Sequence, residues 1–251
     1  MADELICPHT AVNSHLQALG KVKKQSVWVP HDLSEFNRQC RVEACTSLLS
    51  LHLTTSWLDS VVTGDEKWVL YANVVRRHAW VSKGEPAPTQ PKAGLHPREV
   101  MLSVWWDVNG VILFELLPHN TTITASLYCD QLERLKAELY RKRQRRRTIR
   151  FLHDNARPHT AKMTREKLLE LGWEILPHPP YSPDLAPSDY HLFRSLQNHL
   201  RGKTFANDEE IAADLSAFFD GQPQSFYARG IRQLPQRWRQ VIDNDGDYIL
   251  D

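Results

Sequence analysis

Net charge is the first thing this sequence has little of. Its 31 Lys and Arg against 30 Asp and Glu leave only +1 with histidine neutral. Bulk charge therefore announces no polyanionic partner, and any electrostatic attraction has to come from local clustering. Cysteine is scarce too. Cys7, Cys40, Cys45 and Cys129 form no C-x-x-C pair and no regular framework, which argues against a zinc ribbon or disulfide scaffold and fits free thiols in a reducing compartment. Long apolar runs are missing: the stretch around Trp105 is broken by Asp107 and Asn109, far short of a membrane span. Residues 1–20 carry Asp3 and Glu4 and lack the apolar core of a signal peptide. A soluble, intracellular chain with no membrane partner is expected.

What is present is an ordinary globular composition: 251 residues, 41% hydrophobic and 24% charged, enough for one large domain with a small appendage. Positive charge does cluster once. Seven of the ten residues from Arg141 to Arg150 are Lys or Arg.

Three zones follow from the patterning. Residues 1–20 read as a short helix, a turn and a second helix capped by Thr10. Val12, Leu16 and Leu19 share one face of that helix, and Asn13, Ser14 and Gln17 face away. That is the size of the last two helices of a helix-turn-helix, without its first supporting helix. Residues 21–57 read as a linker, extended around Pro30, then a helix over 38–57 with Cys45, Leu48 and Leu49 inward. From 58 to 251 an α/β pattern sets in. Strands are expected over 61–72, near 78–81, and over 99–106 and 111–117, the last two flanking an Asn109-Gly110 hairpin signal. A long helix over 124–147 turns Leu127, Leu132, Leu135 and Leu139 inward, and a buried strand covers 150–154. Helix 159–171, strand 174–176, a helix over 188–200 capped by Ser188, and helices over 208–219 and 235–242 complete a mixed sheet covered by helices.

Asp65 and Asp154 fall within or at the end of strands with apolar neighbours, where a carboxylate is costly unless something neutralises it. Hard divalent cations take oxygen ligands, so aspartates presented from adjacent strands suit such an ion. Asp189 falls in the first turn of a helix whose approach is shaped by Pro183 and Pro187. With 30 acidic residues in 251, spacing alone decides little. The alternatives are a turn aspartate at 65, a strand-end carboxylate at 154 and a helix-dipole residue at 189.

The surrounding motifs shift that balance. Thr63-Gly64-Asp65-Glu66-Lys67-Trp68, His153-Asp154-Asn155-Ala156-Arg157-Pro158-His159, and the run from Pro180 to His191 resemble the catalytic motifs of mariner transposases, in the Tc1/mariner superfamily. Thirty-four residues separate Asp154 from Asp189, the spacing that marks the mariner group. Trp28-Val29-Pro30-His31-Asp32-Leu33 resembles the family's linker motif, and the resemblance spans nearly the whole chain. It implies an RNase H-like catalytic core in which Asp65, Asp154 and Asp189 bind two Mg2+ or Mn2+ ions for phosphodiester hydrolysis and DNA strand transfer. It also implies DNA as partner (transposon inverted repeats for the full-length ancestor), a homodimer formed through the linker, and residence in the nucleus.

Other residues keep two readings. His153, His159 and His191 lie near the aspartates without a zinc spacing, which points to structural or substrate-contacting roles. Glu66 adjoins Asp65 on a strand and is expected on the opposite face, outside the site. Arg141, Lys142, Arg143, Arg145, Arg146 and Arg147 fit DNA phosphates, a nuclear localisation signal, or a solvated helix end. Asp243-Asn244-Asp245-Gly246-Asp247 lacks a calcium-loop frame and reads as a turn. Because the DNA-reading segment is expected to be truncated, two functional classes stay open: a metal-dependent transposase and endonuclease, or an inactive remnant that only binds DNA or dimerises.

Overall fold

The computed structural model describes residues 31–74, 98–118, 121–143 and 148–249. The helix-turn-helix segment with Asn13, Ser14 and Gln17, most of the linker, the strand near 78–81, and Arg145, Arg146 and Arg147 lie outside them.

Helix α1 (Glu35–Thr54) starts earlier than the apolar pattern indicates. Ser34 is extended, and its hydroxyl accepts from the Asn37 N–H at 3.2 Å, an N-cap that the periodicity alone does not locate. A short 3-10 turn then leads into β1 (Val61–Leu70), the central strand. It pairs antiparallel with β2 (Glu99–Asp107), which pairs antiparallel with β3 (Gly110–Leu116). On its other side β1 runs parallel to β4 (Arg150–Leu152), and β4 parallel to β5 (Glu174–Ile175). The sheet order is β3-β2-β1-β4-β5. In the hairpin Asp107 pairs with Gly110, so the turn residues are Val108 and Asn109. The positive φ of 128° falls on Gly110, and the Asn109 N–H donates to Asp107 Oδ1 at 2.8 Å.

Alternation along the strands builds two cores. Val61, Val69, Leu102, Val104, Trp106 and Leu152 join one cluster, while Val62, Trp105, Ile112 and Phe151 join the other. The second is covered by α2 (Ala125–Arg143) and α4 (Lys162–Glu170), through Leu132, Leu135, Leu139 and Leu168. The first packs α1 with α5 (Arg194–Leu200), α6 (Asp208–Gly221), α7 (Gln224–Arg232) and α8 (Leu234–Asp243). Leu127 is only half-buried; Tyr128 and Cys129 take the inward positions of that turn. Among the described residues no helix is long and apolar enough to cross a membrane.

Three expectations need correction. The helix foreseen over 159–171 is two, α3 (Arg157–Thr160) and α4, separated where Ala161 takes extended angles of φ −58° and ψ 148°. Helix α7 was not foreseen, because Gly230 interrupts its apolar pattern. A Cβ there would stand 2.6 Å from the His191 ring and 2.8 Å from Trp106, so the helix needs glycine to lie that close to the sheet. Ser188 is not an N-cap. It lies inside a wide π-helical turn (Ser188–Phe193) that continues into α5, and its buried hydroxyl receives the Trp106 Nε1–H at 3.1 Å.

Candidate active site

The register of the parallel pair sets the first two aspartates side by side. Thr63 is opposite Leu152, and Asp65 and Asp154 each stand two residues further along. Gly64 makes room for this crowded stretch: it pairs across the sheet with Trp105, and a Cβ on it would lie 2.1 Å from that indole. Asp189 comes from the first turn of the π-helical segment, which packs against β1.

The three carboxyls feel one another. Burial, then the charges of Asp189, Glu66 and Asp154, pushes Asp65 well above the ordinary carboxylate range. Burial and the Asp154 charge push Asp189 up to about 6, against the opposing effects of Lys67 and of a hydrogen bond with Asp65. Lys67 shares the Asp65 face of β1. Burial lowers its pKa while Asp189 and Asp65 raise it, and its ammonium stands 5.8 Å from the centre of the Phe193 ring. Asp154 differs. Burial would raise it, but the His159 hydrogen bond and charge and the Ala156 amide outweigh burial and hold it below the usual range.

His159, which sequence reasoning assigns only a structural or substrate-contacting role, links two of the acidic residues. Its Nδ1 lies 2.6 Å from Asp154 Oδ1 and its Nε2 lies 3.2 Å from Glu66 Oε2, so both ring nitrogens face carboxylates. Burial alone would lower its pKa, but the interactions with Asp154 and Glu66 raise it to about 10, which makes the ring a buried imidazolium at neutral pH. Glu66 does face the other side of β1 from Asp65, yet it reaches the aspartates through this ring. The remaining histidines have other partners: His153 Nδ1 is 3.0 Å from the Tyr128 hydroxyl, and His191 Nε2 is 2.9 Å from the Phe226 carbonyl.

A cavity of about 400 Å³ is lined by Asp154, Asn155, His178, Tyr181, Ser182 and Asp189, among others. Asn155 fastens its wall by donating to the His178 carbonyl at 2.7 Å. Tyr181 sits at φ 53° and stacks on His31 with ring centres 3.9 Å apart.

Below the cavity lies a second residue that charge-based reading assigns to the surface. Arg41, fully buried on α1, makes a fork to both Asp184 oxygens at 2.8 and 2.6 Å. It also donates to Ser182 Oγ at 2.7 Å and to the Gly246 carbonyl at 2.8 Å. The turn at 244–246 is thus part of the scaffold that holds the segment leading to Asp189. No local sequence signal points to Arg41, whose partner Asp184 lies 143 positions away.

The basic run divides. Arg143 is committed to Asp107 at 2.9 and 3.0 Å and to the Gly110 carbonyl at 3.2 Å, which closes the hairpin and uses up its fork. Lys142 reaches the Val111 carbonyl at 3.4 Å, and Arg141 pairs with Glu138 at 2.7 Å while staying 67% exposed.

Among the described residues, no three His, Cys, Asp or Glu side chains stand as a finished metal-binding group. The aspartates meet instead as a field of mutual repulsion. As a donor set they suit a hard cation: carboxylate oxygens only, with Lys67 the cation facing Asp65 and Asp189.

Comparison with known proteins agrees with this architecture. Residues 70–149 match the family described as Transposase (partial DDE domain). The chain is 41% identical over 253 residues to the Mariner Mos1 transposase of Drosophila mauritiana, covering 99% of this chain and 73% of that protein. It is 42% identical over 252 residues to human Histone-lysine N-methyltransferase SETMAR, of which it spans only 37%. Crystal structures of the Mos1 paired-end complex, one with Mn and one with Mg, each superpose with a TM-score of 0.89 at 42% identity, covering 99% of this chain and 74% of theirs. The five-stranded mixed sheet flanked by helices is accordingly the RNase H-like fold that the motifs implied, and the chain belongs to the mariner transposases.

Proposed function

We propose that the chain is the catalytic part of a metal-dependent DNA transposase, cutting phosphodiester bonds and joining DNA strands. One observation carries the reading: carboxyls from β1, the end of β4 and the π-helical turn meet closely enough that Asp65 and Asp189 resist ionisation, with Lys67 the cation that faces them. Asp65, Asp154 and Asp189 would hold the cations. When bound, two Mg2+ or Mn2+ ions supply activation of water or a 3′-hydroxyl and neutralise charge on the phosphoryl oxygens.

The chain's own residues do the rest. Lys67 offsets part of the Asp65 and Asp189 charge, and Asn155 holds the cavity wall open beside Asp154. Arg41 fixes the approach to Asp189 through Asp184. The transposon DNA held in the Mos1 complexes supports DNA as the partner. Residence in the nucleus, homodimerisation through the linker, contacts from Asn13, Ser14 and Gln17, and the division at residues 20 and 57 belong to the same proposal.

Plasmid nicking by the purified chain, with and without Mg2+ or Mn2+, tests it. Metal-dependent nicking that disappears in Asp154→Ala is expected; equal activity in that variant would mean a contaminating nuclease. No cleavage by a folded chain that still co-purifies with a full-length relative would favour an inactive, dimerising fragment instead.

A further inference from the structure

Asp154 lies beyond the last paired residue of β4, and 43% of its side chain is exposed. A carboxylate so placed is free to rotate and offers two equivalent oxygens. Here one is taken. Oδ1 accepts from the Ala156 N–H at 2.9 Å and from His159 Nδ1 at 2.6 Å, whereas Oδ2 has no hydrogen bond among the described residues.

The ring that restrains it is itself immobilised. His159 is 1% exposed, stacks on His153 with centroids 5.1 Å apart and lies 4.2 Å from the Tyr128 ring. Its far nitrogen stands 3.2 Å from Glu66 Oε2, an ion-pair contact without hydrogen-bond geometry, and the other Glu66 oxygen is buried without a hydrogen-bond partner among the described residues. Strand β1 therefore acts on both faces: it presents Asp65 on one and, through Glu66 and His159, orients Asp154 from the other.

We propose that Glu66 and His159 are positioning residues that lock Asp154 Oδ1 and so leave Oδ2 as the oxygen offered to a divalent cation. The inference rests on Asp154 being a metal ligand. Partners one shell out from a metal typically tune its affinity by about 10–100-fold.

The test is Mn2+ binding to the full chain without DNA, followed by the electron paramagnetic resonance signal of free Mn2+. In His159→Asn the side-chain amide nitrogen replaces Nδ1, facing Asp154. In His159→Gln it replaces Nε2, facing Glu66. Both lose the stacked ring, so their difference isolates the Asp154 link even if His159→Ala fails to fold. His159→Ala is expected to raise the Mn2+ concentration for half-saturation by about 10–100-fold. His159→Asn recovers most of that loss, His159→Gln does not, and Glu66→Gln shows a smaller rise. Equal binding by the Asn and Gln variants would reduce the ring to packing and overturn the proposal. So would normal binding by folded His159→Ala when Asp154→Ala has lost Mn2+. Should Asp154→Ala itself bind Mn2+ like the parent chain, the metal reading falls and this inference falls with it.

Discussion

Asp65 and Glu66 are neighbours on one strand, and their surroundings could hardly differ more. On the Asp65 face a carboxyl confronts two others, with Lys67 as the facing cation, and the result is repulsion that pushes protons onto Asp65 and Asp189. On the Glu66 face a carboxylate confronts the imidazolium of His159, which stands between it and Asp154. The period-2 alternation of a strand is enough to separate the two within one residue step. A cluster that carries its own cation keeps its carboxylates ionised without help from outside. An unbalanced one costs stability in the metal-free chain, and such strain is characteristic of sites built for something that binds later.

Removing one charge from the repulsive face gives the largest expected effect. Asp65→Asn should bring metal-dependent nicking down to the Asp154→Ala background, while the metal-free chain melts at a higher temperature than the parent. Nicking assays and calorimetry in EDTA check the two halves. A variant that melts lower and still nicks would break the comparison.

A second effect concerns a balanced charge elsewhere. Arg41 and Asp184 are 0% and 9% exposed and joined by a two-pronged ion pair. Arg41→Ala leaves Asp184 buried and unpaired, and removal of one partner from such a pair costs about 3–5 kcal/mol. Urea unfolding measures it. A loss below about 1 kcal/mol, the range of exposed pairs, would show that the clamp is dispensable.

The faces also separate by pH. Asp189 rises from 3.8 to about 6 on folding, so its stabilising contribution is complete below 3.8 and is lost as pH rises through 6. His159 rises from 6.5 to about 10, so its contribution is complete below 6.5 and is lost as pH rises through 10. His153 and His178, held down by burial to about 3 and about 4, add stability as pH rises over the same acid range. The Asp189 step is therefore read as the difference between the parent chain and Asp189→Asn, and saturating Mg2+ should suppress that acid-side difference alone. Melting temperatures from pH 4 to 10 in EDTA and in Mg2+ decide this. Persistence of the acid-side step in Asp189→Asn would remove its assignment.

How much of this was legible beforehand depended on whether a feature is local. The strands announced themselves through alternation, as in Val61 to Val69, and the hairpin through Asn109-Gly110. Ser188 did not, because a serine after proline reads as a cap unless one knows that Trp106, 82 residues away, donates to it. Helix α7 was hidden by Gly230, whose value lies in contact with His191 and Trp106 rather than in helix propensity. Arg41 was invisible for a similar reason: a charged residue on an amphipathic helix reads as solvated until Asp184 is brought to it from 143 positions away. The aspartates stand out from the other acidic residues only through their motifs. That His159 joins Glu66 to Asp154 across the strand required the tertiary structure.

The smallest expected stability effect lies in the basic run, where the contrast between committed and uncommitted charge recurs two residues apart. Arg143 is 14% exposed and closes the β2–β3 hairpin on Asp107, itself 3% exposed, so Arg143→Ala should lower the melting temperature. Arg141 is 67% exposed and pairs with Glu138 one turn back, so Arg141→Ala should leave melting unchanged. DNA binding is expected to invert the order. Each phosphate contact contributes roughly 0.9 to the slope of log affinity against log salt, and the exposed Arg141 guanidinium can leave Glu138 for a phosphate more readily than Arg143 can leave the buried Asp107. Arg141→Ala should therefore flatten that slope, and Arg143→Ala, compared where it is folded, should not. Equal slopes for both variants and the parent would leave the described part of the run as a solvated helix end.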